Sequence, residues 1–422
     1  MGITDAQQGK RFFSVEEAYA EGDPYSHYAW FREHDPLHLG QPGWPLGYPQ
    51  IWLFRHVDVM RLLRDPRLVK LVGDIPEIRA LREVEPYEAP AQDTFGFVAN
   101  RMMLFQDPPD HTRLRGLANR AFTPRVVADR RGEIEALTRD LVRTLRDQGE
   151  GDLIEALSYP LPVLVIATIL GVPAEDMHRF RDWASVLGAA IDLPMEELAT
   201  FTARVDDSTR DMSDYLRSIV AKRRESPEDD LISRLIAARD DDGRLTDDEL
   251  IATCVLLMIA DHETTVNLIT NGVLALMRHR DQWDRLVADP SLARSATEEL
   301  LRYDSPVQLT TRITGESIEI GDVAVPRGTE IFFLLGSANR DDAVWDDPDK
   351  MRIDRKVGRH MSFGMGIHFC LGAPLARLEG EVAFATLATE APNLELVDSN
   401  PTWRPGAVLH GLQRLDVRMC TP

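Results

Sequence analysis

Cysteine is scarce in this chain, with three residues in 422, Cys254, Cys370 and Cys420, odd in number and far apart. That number and spacing argue against a disulfide framework and fit a reducing compartment. No apolar run reaches the ~18–20 residues that a membrane-crossing helix needs, and the stretch from Met1 to Gln8 carries no signal-peptide core. A soluble, cytoplasmic protein with no membrane partner is expected. Positive charge is also short: 48 Lys and Arg against 69 Asp and Glu leave a net charge of −21. This balance argues against a nucleic-acid partner, which needs a clustered basic surface. Repeats, low-complexity tracts and an identifiable linker are absent too. Length alone would allow two or three domains, but the sequence predicts one domain over residues 1–422 with an extensive core, given its 44% hydrophobic content.

Periodicity predicts a mainly α-helical chain with a small β portion. Trp52 to Pro66 reads as a short strand followed by a helix that stops before the proline. Residues 72–107, broken by Pro76, Pro86 and Pro90, read as a long irregular connection of the kind that often forms a lid. Helical patterning then dominates from His111 to Ala288. Thr246-Asp-Asp-Glu249 is a capping box that opens a proline-free helix running to about Arg278, roughly 50 Å at 1.5 Å per residue. Ser317 to Pro326 alternates around Gly321-Asp322 as a hairpin would, and Pro392 to Met419 reads as further short strands.

One thiol stands in a setting that suggests metal binding. Cys370 lies in Phe363-Gly-Met-Gly-Ile-His-Phe-Cys-Leu-Gly372, a glycine-punctuated loop ahead of a helix that begins near Leu371 or Gly372. Glycines at 364, 366 and 372 permit turns and close approach of a flat ligand, while Phe363 and Phe369 would shield the sulfur. Backbone N–H groups and the positive helix end would favour the thiolate. A buried structural cysteine is the alternative for the thiol alone. Within the long helix, Ala260-Asp-His-Glu-Thr-Thr265 interrupts an otherwise apolar surface with acids and hydroxyls, which need partners or a purpose when buried. The fragment His262-Glu263 lacks the second histidine of a zinc-protease motif. The acids from Asp240 to Glu249 lack a calcium loop's first ligand because Ala238 occupies it.

The pattern Phe363-x-x-Gly366-x-x-x-Cys370-x-Gly372 resembles the haem-binding signature of the cytochrome P450 family. The resemblance implies a cytochrome P450 fold, haem b (iron protoporphyrin IX) as cofactor, Cys370 as the iron's thiolate ligand, and His368 beside a haem propionate. Such a ligand donates electron density that favours O–O cleavage. Residues 260–265 resemble the family's oxygen-activating motif. Glu263 would relay protons and Thr264 would position oxygen and a water, since reducing dioxygen at the haem consumes protons. Asp261 departs from the pattern, standing where the family usually has glycine beside Ala260. Further residues complete the carry-over: His111 and Arg115 as H-x-x-x-R with Arg312 for the propionates, and Glu299-x-x-Arg302 as the pair that locks the core, with Arg340 or Arg355 as its third member.

The same resemblance implies a monooxygenase acting on a hydrophobic natural-product-like molecule, fed by a ferredoxin-type electron donor and its reductase. Arg113, Arg115, Arg120 and Arg125 would help to receive that donor if they lie near the cysteine face. Phe97, Val98, Leu187, Ile191, Leu257, Leu309 and Leu409 would line the substrate pocket. Two alternatives remain: a haem-thiolate oxidase or peroxygenase that couples or desaturates, for which Asp261 is the hint, and a non-catalytic haem sensor, against which the acid–alcohol pair speaks.

Overall fold

The computed structural model describes residues 13–19, 22–40, 50–70, 91–189, 195–239, 243–356 and 358–419. Among them are ten strands: β1 (Leu37–Leu39), β2 (Gln50–Leu53), β3 (Leu68–Val69), β4 (Glu150–Asp152), β5 (Leu309–Thr314), β6 (Ile318–Ile320), β7 (Val323–Val325), β8 (Glu330–Leu334), β9 (Leu394–Leu396) and β10 (Asp416–Met419). The first sheet has the order β1-β2-β8-β5-β3, with β2 and β8 parallel and the other pairs antiparallel. The second has the order β4-β10-β9, and β6 pairs with β7 around Gly321 as the alternation predicts. Strand β4 falls where Gly149 to Gly151 interrupt the helical pattern and pairs with the distant β10 (Gly151 opposite Val417), a contact no local pattern announces.

Six helices position the site: α1 (Phe95–Ala99), α2 (Asp110–Ala121), α3 (Met177–Ala189), α4 (Asp247–Arg278), α5 (Ala293–Tyr303) and α6 (Ala373–Glu390). The short helix α1 lies in the stretch read as an irregular connection, of which residues 72–90 lie outside the described residues. The Thr94 hydroxyl caps α1 by accepting from the Phe97 N–H at 3.3 Å, a side-chain signal that the nearby prolines masked.

Helix α4 is the axis of the molecule. Its capping box is formed as read, with the Thr246 hydroxyl accepting from the Glu249 N–H and the Glu249 carboxylate accepting from the Thr246 N–H. Every residue from Leu250 to Ile259 is buried, so packing on all sides, at about 1.5–3 kcal/mol per fully buried large apolar side chain, holds this helix more than its propensity does. It packs against α1, α3, α5 and α6. Gly272 lets α6 come close, because a Cβ there would lie 2.5 Å from the Phe384 ring. No helix among the described residues is long and apolar enough to cross a membrane.

Candidate active site

The loop before α6 is shaped by its backbone. The Cys370 N–H donates to the Phe363 carbonyl at 2.9 Å, closing the loop on itself. Gly366 has φ +74°, and a Cβ on it would stand 2.3 Å from the Leu63 carbonyl oxygen, so conformation and space both demand glycine. Gly372 differs from the expectation: its φ of −77° suits any residue, and an added Cβ would meet the Cys370 sulfur at 3.8 Å. What it keeps open is room beside the sulfur. Phe363 is buried under the Arg377 guanidinium, 4.4 Å from its ring centre, whereas Phe369 is 37% exposed and shields little.

Burial pushes the Cys370 thiol up to about 11, and the Asp261 carboxyl adds to the rise. The Gly372 and Ala373 N–H groups and Arg115 pull the other way, as the helix-start argument predicts, without overcoming burial. The protein alone therefore keeps this sulfur protonated. Binding to a cation would remove that proton outright.

Beside the loop five basic side chains converge. His111 and His368 face each other with ring centres 4.3 Å apart, and both His111 nitrogens and the His368 Nε2 are buried without a hydrogen-bond partner among the described residues. Arg115 Nη2 donates to the Phe369 carbonyl at 2.5 Å. Arg312 on β5 is buried, and its Nη1 donates to the Thr311 carbonyl at 2.7 Å. Lys70 is the fifth. Burial lowers His368 far below an ordinary histidine, with Arg312, His111, Lys70 and Arg115 adding repulsion. Burial, then Arg312, brings Lys70 down to about 7 against the pull of Asp107. Burial also brings Arg312 down to about 10. Buried cations with orphaned donors make a cradle for anionic groups.

Helix α4 presents its polar residues toward different neighbours. Ala260 is exposed and Thr264 half-exposed in an otherwise buried run, so this i, i+4 stripe lines an open groove. The Thr264 hydroxyl donates to the Ala260 carbonyl at 2.8 Å. Glu263 is buried beside the stripe and tied down: its Oε2 accepts from Arg404 Nη1 at 2.7 Å, and Arg404 Nη2 reaches Asn267 Oδ1 at 2.7 Å. Gly188 of α3 closes over it, since a Cβ there would lie 2.8 Å from Glu263 Cγ. Asp261 is 9% exposed, its Oδ2 is unpartnered among the described residues, and burial pushes its carboxyl up to about 8.

These residues fit a haem. Arg and His nitrogens wait for acids on one side, Cys370 is half-buried with space at its sulfur, and the Ala260–Thr264 stripe is open. Behind the loop, Glu299 and Arg302 are both wholly buried and paired in a fork at 2.8 and 2.9 Å. Arg355, whose Nε donates to Glu299 at 3.0 Å, is the third member, while Arg340 instead serves the Tyr303 carbonyl and Asp349. Val98, Leu187 and Leu257 are buried in the main core on three helices, with Phe97 packed against it. Leu309 lies apart in the aromatic cluster with Trp52 and Phe332, and Leu409 bridges to Val307. Ile191 lies outside the described residues. Among the four arginines read as a docking set, Arg113 is spent on an ion pair with Glu249, while Arg120 and Arg125 are exposed. A cleft of about 600 Å³ lined by His56, Trp345, Arg352 and Arg359 takes in Arg355 of the Glu299–Arg302 lock but none of the residues around Cys370, the basic cradle or the Ala260–Thr264 stripe.

Sequence reasoning missed Lys70, Arg404, Asn267 and Glu379. Asn267 could have been found, one turn beyond Glu263 on the same helix. The others arrive only through tertiary structure.

Comparisons with known proteins agree with this geometry. The family model described as Cytochrome P450 matches residues 82–289 and 287–389. Cytochrome P450 107B1 of Saccharopolyspora erythraea is 40% identical over 411 residues, covering 96% of this chain and 97% of that protein. The solved structure of the bacillaene polyketide synthase cytochrome P450 PksS of Bacillus subtilis superposes with a TM-score of 0.87 at 35% identity, over 97% of this chain and all of that one. P450BioI in complex with an acyl carrier protein bearing hexadec-9Z-enoic acid gives 0.85 at 35% identity, over 96% and 100%.

Proposed function

The chain belongs to the cytochrome P450 family of oxidoreductase monooxygenases, and from that premise we propose that it is a haem-b enzyme, one domain over residues 1–422, placing one atom of dioxygen into a hydrophobic natural-product-like molecule. The observation that carries the reading is that Cys370 is within electrostatic reach both of Arg115 in the basic cradle and of Asp261 beside the open Ala260–Thr264 stripe. When bound, haem supplies the redox chemistry of oxygen reduction and C–H oxidation.

Cys370 would hold the iron, with Phe363, Gly366 and Gly372 shaping the seat. Arg115, Arg312, His111 and His368 would hold the propionates, joined by Lys70. The Thr264 hydroxyl would release its Ala260 carbonyl to orient a water in the groove. Glu263 would pass protons toward that water when Arg404 lets its carboxylate go, and the buried wall of Val98, Leu187 and Leu257 would exclude bulk solvent. Electrons would come from a ferredoxin-type donor and its reductase at the Cys370 face, where Ile367 and Phe369 are exposed beside Arg115. Names of relatives that mention polyketide biosynthesis or a carrier-borne acyl chain support a biosynthetic substrate of this kind, presented free or on a carrier.

The test is a screen of hydrophobic compounds for perturbation of the haem absorption band. The best ligand is then turned over with a ferredoxin, its reductase and isotopically heavy dioxygen. One labelled oxygen in the product, with stoichiometric NADPH use, supports the reading. Unlabelled desaturated or coupled product supports the oxidase alternative, and no reductant use with any ligand supports the sensor.

A further inference from the structure

We propose that Asp261 and Glu379 form a carboxylic-acid pair that stores a proton beside the oxygen groove, a source separate from Glu263; this rests on the haem-thiolate reading above. The pair lies where α4 packs against α6. Asp261 and Thr265 sit one turn apart on α4, and Glu379 faces them from α6. Their exposures are 9%, 1% and 0%. Four oxygens there, Asp261 Oδ2, Thr265 Oγ1 and both carboxyl oxygens of Glu379, have no hydrogen-bond partner among the described residues. Such a cluster inside apolar packing calls for protons, water or both.

Helix geometry separates the two acids. At about 100° per residue, Asp261 and Thr265 flank the Ala260–Thr264 stripe on one side and Glu263 flanks it on the other. Glu263 has a cation, Arg404. On the Asp261 side no Lys, Arg or His among the described residues acts on either carboxyl; the influences are burial, the other carboxyl, the Cys370 thiol, which a charged Asp261 would raise, and the Thr265 hydroxyl, which lies beside Glu379 without closing a bond of normal geometry. A carboxylate without a cation is costly there, so the neutral acids are favoured. In agreement, Asp261 is pushed up to about 8 and Glu379 well above the ordinary range. The transfer balances simply: the Asp261 O–H gives its proton to a water in the groove, and the carboxylate left behind is stabilised by the proton that Glu379 retains. Solvent then restores the first proton. A glycine at position 261 could not do this.

Two measurements on the ferric holoenzyme and its turnover test it. Infrared spectra at neutral pH should contain a protonated-carboxyl C=O band that shifts in D2O and is lost in the Asp261→Asn/Glu379→Gln double variant. In a Glu263→Gln background, Asp261→Asn should cut the residual product formed per NADPH severalfold and change the solvent isotope effect on what remains, and Asp261→Gly repeats the test should the Asn variant fail to fold. A parent spectrum with no band lost in the double variant overturns the stored proton. Residual coupling unchanged by either Asp261 substitution overturns the donor role. Failure of the haem-thiolate reading would show separately, as a parent whose reduced carbon monoxide complex lacks the red-shifted absorption band.

Discussion

Replacing Arg312 by leucine separates a residue kept for the fold from one kept for an anionic ligand. The guanidinium is 5% exposed, and its hydrogen bonds run from Nη1 to the Thr311 carbonyl at 2.7 Å and to Thr310 Oγ1 at 3.4 Å. Lys70 adds like charge nearby, while burial holds His111 and His368 below the usual histidine range and so uncharged, and burial has already lowered Arg312 to about 10 with only Asp107 pulling back. In the apoprotein this charge is therefore a cost, and leucine, a good fit to a buried strand, should leave stability to urea unchanged or raised. In the holoenzyme the substitution should remove charge-assisted bonds to a propionate of about 1.5–3 kcal/mol, which is roughly ten- to hundredfold weaker haem retention. Haem transfer to an excess of a scavenging globin measures the second quantity, and urea unfolding of the apoprotein the first. An apoprotein that loses stability while haem loss stays at the parent rate would refute the reasoning, because Arg312 would then be structural.

Three further outcomes follow from the same geometry. Glu299→Gln removes the counter-charge of Arg302 and Arg355 in a wholly buried cluster, where it also accepts from the Arg352 N–H. A loss of about 3–5 kcal/mol in urea unfolding is expected. Arg404→Leu strands the buried Glu263 carboxylate; because Arg404 is itself 36% exposed, the stability cost is screened to about 1–2 kcal/mol. Product formed per NADPH should fall while the carbon monoxide spectrum stays parental. Burial would raise the Glu298 carboxyl, but hydrogen bonds from His360 and Arg377 outweigh it and hold the group down to about 2. A depressed carboxyl contributes stability above its unfolded value, and that contribution is lost as pH falls from about 4.5 toward 2; acid denaturation of Glu298→Gln should be correspondingly flatter over that window.

Local features of this molecule were legible in the sequence and tertiary ones were not. The capping box at Thr246, the hairpin around Gly321 and the strand-then-helix read from Trp52, whose strand begins two residues earlier at Gln50, announce themselves through residues a few positions apart. At the Cys370 loop the N–H groups at the helix start favour the thiolate as read, because they are a local signal, whereas the burial that outweighs them in the protein alone is not. The same limit hid the fifth member of the basic cradle. Lys70 follows β3, Arg312 lies on β5, and it is the pairing of those two strands that brings the lysine to the cradle. Arg404 reaches Glu263 in a similar way, from a segment 141 positions later that no helical period connects to it. Asp261 was legible as a departure, but its partner Glu379 was not, since only the packing of α6 on α4 brings the two carboxyls together.

The central claim is that Cys370 holds a haem iron through its sulfur, and the reduced, carbon monoxide-treated protein tests it most directly. The parent should show the red-shifted absorption band of thiolate ligation, and Cys370→Ser, folded to the parent's circular dichroism, should lose it. A parent without that band, or a serine variant that keeps it, would contradict the claim.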